Sequence, residues 1–147
     1  MKIFLDTSAF AKRYVAERGS EKVLALCEQA DCLTVSIICL PELISTLAPL
    51  VREKRLAKAD YVRLKHDATA DLADADICQI TADVMAAVAK LLESHPLRAM
   101  DAIHIACALT VKPDVFISAD HRQLAAACKA GLKIVEFRSL KRTVNDV

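Results

Sequence analysis

Tryptophan is absent from the 147 residues, and phenylalanine and tyrosine bring the aromatic share to only 4%. Single-stranded nucleic acids are commonly held by stacking bases on aromatic rings, and Tyr14 and Tyr61 are too isolated to form such a platform. Glycine occurs twice and proline four times against a hydrophobic fraction of 54%, which excludes disorder and a loop-rich scaffold. The P-loop signature is missing. Charge of one sign is also missing: the net value is +1, so no global basic field exists and any nucleic-acid contact must be local. The six cysteines, Cys27, Cys32, Cys39, Cys78, Cys107 and Cys128, form no CxxC pair and no Cys/His ligand spacing, and read as reduced core thiols. No apolar stretch approaches membrane-spanning length, and Asp6 interrupts the run after Lys2 before a signal peptide's apolar region is complete. A cytoplasmic protein without membrane contact is expected.

What is present is a regular alternation. The length suits a single domain over 1–147, with a loose polar tail from about 141. Short β-rich runs at 2–6, 32–36, 77–80, 115–118 and 133–137 read as strands. Between them, 8–16, 20–30, 40–54, 58–72, 81–93, 100–111 and 122–130 read as helices. In the third of these, Leu40, Leu43, Ile44, Leu47 and Val51 form a core-facing stripe, with Pro41 in the opening turn. Gly131 stands where a helix end favours a left-handed residue. The alternation implies an α/β fold of three layers, α/β/α, around a parallel sheet of about four or five strands. Ligands of such sheets collect beyond the carboxyl ends of the strands.

Most of the nineteen acidic residues lie on charge-rich helical surfaces, as in 63–76. Four do not: Asp6 in IFLDTSAF, Glu42 in ICLPELIS, Asp101 in RAMDAIHIACAL and Asp120 in VFISADHRQL are each set into core-like sequence. Taken singly they have ordinary explanations. Asp6 and Asp120 could cap helices, Asp101 could face a helix dipole from a first turn, and Glu42 could complete an ion pair. Together, aimed at one end of a sheet, they would repel by a few kcal/mol per close pair at an effective dielectric near about 20, so a positive charge belongs among them. Oxygen donors without cysteine favour a hard cation, Mg²⁺ or Mn²⁺. Asp6 and Asp101 are the expected direct ligands, with Glu42 and Asp120 ligating a second ion or acting through water. Ser8 could cap the first helix and bond a metal water or Asp120. Lys12, Arg13, Arg98 and Arg122 could hold phosphates around the cleft. His104, three residues beyond Asp101, is either a packed structural histidine or a group that meets phosphate or moves a proton.

Over almost its whole length the chain resembles the PIN-domain nucleases, in particular the toxins of bacterial type II toxin–antitoxin pairs of the VapC kind. The marks are LDTSA around Asp6, PEL around Glu42, LRAMDAIHIACAL around Asp101 and FISAD around Asp120, in order and each in its proper strand or helix context. The resemblance implies an Mg²⁺- or Mn²⁺-dependent endoribonuclease, with Asp6, Glu42, Asp101 and Asp120 both catalytic and metal-binding. It further implies an RNA substrate, a cognate antitoxin that blocks the cleft, and a homodimer, to which the apolar stripe of the helical hairpin 40–72 could contribute. One departure matters: the last block reads Ser118, Ala119, Asp120, His121, Arg122, Gln123, without the family's fifth acid, which leaves a second metal less supported than the first. An aspartyl-phosphate phosphatase would need a second Asp where Ser8 stands, and a receiver domain's acidic pair is missing. The alternative from another class is a PIN-like module that binds RNA or protein without cutting.

Overall fold

The computed structural model describes residues 1–135. The expected tail from about 141, and the last two residues of the expected strand 133–137, lie outside that range.

Five short strands form one parallel sheet: β1 (Lys2–Leu5), β2 (Cys32–Ser36), β3 (Asp76–Cys78), β4 (Val115–Ile117) and β5 (Ile134–Val135), in spatial order β3-β2-β1-β4-β5. Strand periodicity divides the core. Ile3, Leu5, Val115 and Ile117 point to one face, whereas Phe4 and Phe116 point to the other, their rings 5.8 Å apart. All six are buried, which is possible because helices cover both faces. Each such side chain contributes roughly 1.5–3 kcal/mol of burial free energy.

On the first face lie α1 (Thr7–Ala11), α2 (Ser20–Gln29), α3 (Cys39–Arg52) and α4 (Lys58–Ala73), and on the second α5 (Ala82–Ser94), α6 (Ala99–Val111) and α7 (His121–Lys129). Right-handed crossovers dictate this split. The chain steps from β1 outward to β2 and β3 with its helices on one face, then returns to β4 and steps outward to β5 with its helices on the other. The direction reverses between β1 and β4, so the crevice beyond their carboxyl ends is the switch point of the sheet.

The expected three-layer α/β/α fold is therefore present, and its parallel sheet has five strands where four or five were expected. Two local features differ from the sequence reading. The first helix stops at Ala11 rather than reaching residue 16. Lys12 turns inward, its Nζ donating to Glu17 Oε1 at 3.0 Å and the Arg18 carbonyl at 2.7 Å, while Ser20 Oγ donates to the Val15 carbonyl. These bonds close a loop whose exit is Gly19 at φ 89. The stripe of α3–α4 is largely absorbed within the chain: Leu43 and Leu47 are buried, and Leu50, Tyr61 and Leu64 pack against the same core. Gly131 does adopt the left-handed conformation, φ 100, as the end of α7 requires.

Candidate active site

Four helix N-termini converge on the switch point, and each carries one of the four singled-out acids. Asp6 and Asp120 are the N-cap residues of α1 and α7, while Glu42 and Asp101 lie in the first turns of α3 and α6. The unpaired N–H groups and partial positive charge of a helix start are favourable for a carboxylate. All four line one pocket of about 450 Å³, together with Thr7, Ser8, His104, Gln123 and an aliphatic wall that includes Ala11, Leu43 and Leu47.

Asp6 is the most enclosed, 3% exposed. Its Oδ1 accepts from the Ala9 N–H at 2.8 Å and its Oδ2 from Ser118 Oγ at 2.6 Å, while Ser8 Oγ lies 2.8 Å and 2.9 Å from the two oxygens. Burial pushes its carboxyl above the ordinary value, against these donors. Both Asp6 and Ser8 were candidates to cap α1, and Ser8 a candidate to bond Asp120. The cap is Asp6, and Ser8 instead braces Asp6 and accepts from the Ala119 N–H at 2.9 Å, tying α1 to the loop after β4. Asp120 accepts from the Arg122 N–H at 2.8 Å.

Glu42 Oε1 accepts from Thr7 Oγ1 at 2.6 Å and pairs with His104 Nε2. Burial alone would raise the Glu42 carboxyl, but the hydrogen bonds from His104 and Thr7 outweigh it and hold the group below its ordinary value. Asp101 is pushed up, first by burial and then by the charges of Asp120 and Glu42, against the opposing pull of Arg98 and His104. Among the described residues nothing donates a hydrogen bond to the Asp101 carboxylate, whose backbone carbonyl accepts from Gln123 Nε2 at 3.2 Å.

Four carboxylates lining one pocket, with no cysteine among the described residues that line it, suit a hard divalent cation. As placed, no three His, Cys, Asp or Glu side chains among the described residues are close enough to chelate an ion by themselves.

None of the four expected phosphate ligands lines the pocket. Lys12 is committed to the α1–α2 loop, and Arg13 pairs with Asp71 at 3.1 Å with its guanidinium 5.8 Å from the Phe10 ring. Arg98 and Arg122 are exposed beside the site, preceding Asp101 and following Asp120. Two pocket residues, Thr7 and Gln123, and Ser118 behind Asp6 escaped the sequence reading or were left without a role there. Thr7 could have been found from its place beside Asp6. Ser118 stands in the last acidic block, yet its hydroxyl's use was not visible. Gln123, 1% exposed with Oε1 3.1 Å from Ser118 Oγ, carries no signal, because a lone glutamine in a helix reads as surface.

Comparison with known proteins agrees with this geometry. Residues 3–129 match the model of the PIN domain. The chain is 30% identical over 133 residues to Ribonuclease VapC45 of Mycobacterium tuberculosis, covering 86% of this chain and 92% of that one. Among solved structures, the toxin–antitoxin complex from Klebsiella pneumoniae superposes with a TM-score of 0.67 at 17% identity, over 94% of this chain and 99% of that one. Mycobacterium tuberculosis VapC20, described as a sarcin–ricin loop cleaving toxin, does so with a TM-score of 0.66 at 19% identity, over 88% and 95%. The order of strands, the four converging helix starts and the sequence match lead to one assignment: the chain belongs to the PIN-domain family.

Proposed function

We propose that this protein is a metal-dependent endoribonuclease of the VapC kind, the toxin of a toxin–antitoxin pair, acting on RNA in the cytoplasm. The observation that carries the reading is the gathering of Asp6, Glu42, Asp101 and Asp120 around one pocket at the switch point. The relatives named as VapC ribonucleases support the activity, and a neighbour solved as a toxin–antitoxin complex supports the partner.

Asp101 and Asp6 are the residues to hold Mg²⁺ or Mn²⁺, with Glu42 and Asp120 joining directly or through water. When bound, such an ion lowers the pKa of water and offsets charge that builds on a phosphate. The chain's own part is orientation. Ser8 and Ser118 fix Asp6, Thr7 and His104 fix Glu42, and the N-terminus of α7 fixes Asp120. A carboxylate of this set orients the attacking water toward a phosphodiester. Of the four expected phosphate ligands, the exposed Arg98 and Arg122 are left to meet the RNA backbone.

Cleavage of an RNA panel that includes transfer, messenger and sarcin–ricin loop RNAs tests the reading. Products should appear with Mg²⁺ or Mn²⁺ and vanish with EDTA or in Asp6→Ala. Equal products in every arm would reject it. The non-cutting alternative has one observation in its favour, since Asp6 is fully employed as a helix cap, and it requires RNA binding without products in any arm. The antitoxin and the homodimer are tested by co-purification with the product of an adjacent gene and by mass in solution at several concentrations.

A further inference from the structure

His104 lies one turn beyond Asp101 on α6, in a stretch that is otherwise aliphatic, with Ile103, Ile105 and Ala106 beside it. Its ring is 2% exposed. It reaches across the pocket floor to α3, where Nε2 meets Glu42 Oε1, with Thr7 Oγ1 3.2 Å away. Thr7 Oγ1 donates to that same glutamate oxygen.

One tautomer satisfies this triangle. A proton on Nε2 is given to Glu42 Oε1 with the Thr7 oxygen as a second acceptor, while Thr7 gives its own proton to Glu42. A proton on Nδ1 would instead leave a bare Nε2 lone pair against a carboxylate oxygen and strand an N–H, because Nδ1 is buried without a hydrogen-bond partner. The volume of the ring could be filled by leucine or methionine with no orphaned nitrogen. What an aliphatic residue could not supply is the Nε2 hydrogen bond. A glutamate side chain has several rotatable bonds, and two donors on one oxygen, from two different helices, fix its rotation.

We infer that His104 is a positioning residue for Glu42: its Nε2–H and the Thr7 hydroxyl lock Oε1, leaving Oε2 as the oxygen offered to a divalent cation or to its water. The inference rests on the nuclease reading above. With its ring buried and Nε2 committed, His104 is not a proton carrier for the substrate. Partners of this sort, one bond removed from the metal, typically contribute roughly 10–100-fold to metal affinity.

The test contrasts two amides. Gln places its side-chain nitrogen near the position of Nε2, whereas Asn reaches only that of Nδ1. Mn²⁺ affinity is measured by calorimetry on the wild type, His104→Gln, His104→Asn and Thr7→Val, each first shown to be folded by thermal melting in EDTA. The Asn variant should bind Mn²⁺ roughly 10–100-fold more weakly, the Gln variant should recover most of that loss, and Thr7→Val should weaken binding in the same direction. Imidazole ¹⁵N shifts of the metal-free wild type should report the Nε2–H tautomer. An Nδ1–H tautomer, or Gln and Asn variants that bind alike, overturns the role of His104 while leaving the nuclease reading in place. A wild-type protein that takes up no Mn²⁺ overturns both. If the Asn variant does not fold, the Gln and Thr7→Val variants decide: an unweakened Val variant overturns the inference, and a weakened one beside a near-normal Gln variant supports it.

Discussion

Ser118 Oγ stands 2.6 Å from Asp6 Oδ2, joining the ends of two adjacent strands, β4 and β1, through a buried carboxylate. A hydrogen bond to a charged group is stronger than a neutral one, and here the acceptor is buried, 3% exposed. Ser118→Ala should therefore destabilise the fold by about 1.5–3 kcal/mol, read as a lower urea midpoint with an unchanged slope. A midpoint equal to the wild type would show that Asp6 finds a substitute donor.

Asp6 and Glu42 should respond to pH in opposite senses. Burial raises the Asp6 carboxyl above its ordinary 3.8, so its contribution to stability is fully present below that pH and is lost as pH rises through the folded value. Glu42 is held below its ordinary 4.5, so its contribution is present above that pH and is lost as pH falls through the folded value. In EDTA, Asp6→Asn should gain on the wild type as pH climbs from 3.8. Glu42→Gln should lag behind the wild type near neutrality, begin to close the gap as pH falls below 4.5, and draw level only below the depressed folded value. Urea unfolding across this range checks both, and parallel curves for the two variants would contradict the assignment.

The basic residues should separate into two classes. Lys12 is 9% exposed and closes the loop between α1 and α2. Lys12→Met should cost about 1–2 kcal/mol of stability with little change in the salt dependence of RNA binding. Arg98→Ala should leave the melting temperature alone, weaken RNA binding across sequences and reduce the slope of log affinity against log salt by roughly one. Fluorescence anisotropy at several salt concentrations, beside thermal melts, distinguishes the two.

A divalent ion that binds the folded pocket must also stabilise it. Mn²⁺ at 100 times its dissociation constant should add about 2.7 kcal/mol to the unfolding free energy, and EDTA should remove that gain. Asp101→Asn should lose most of the increment while melting normally without metal, because its carboxylate is raised by burial and by the charges of its neighbours rather than held by donors.

The sheet, its helices and the four acids were legible for definite reasons. The strands are apolar on both faces and bounded by polar residues, which only a covered parallel sheet accommodates, and acids at strand ends are conspicuous against such runs. Helix lengths were less legible where tertiary bonds decide them. The pattern in 8–16 continues beyond Ala11, yet the inward turn of Lys12 ends the helix there. The supports of the site were least legible. Ser118 and Gln123 meet Asp6 and Asp101 only after β4 has paired with β1, a relationship of the fold that local pattern does not carry. His104 could be flagged by its spacing from Asp101, but its true partner, Glu42, is 62 residues away.

The bond between Ser118 and Asp6 spans 112 positions of the chain. During synthesis β1 emerges first, but it must wait for β4 before its carboxylate gains this brace, and the N-terminus of α7 that presents Asp120 comes later still. A ribosome is itself built of RNA, and a nascent chain still attached to it lacks the finished pocket until nearly all of the described residues have been translated. The order of elements thus makes the finished pocket a late product of translation, assembled only when the helix capped by Asp120 has joined the strand that starts at Lys2.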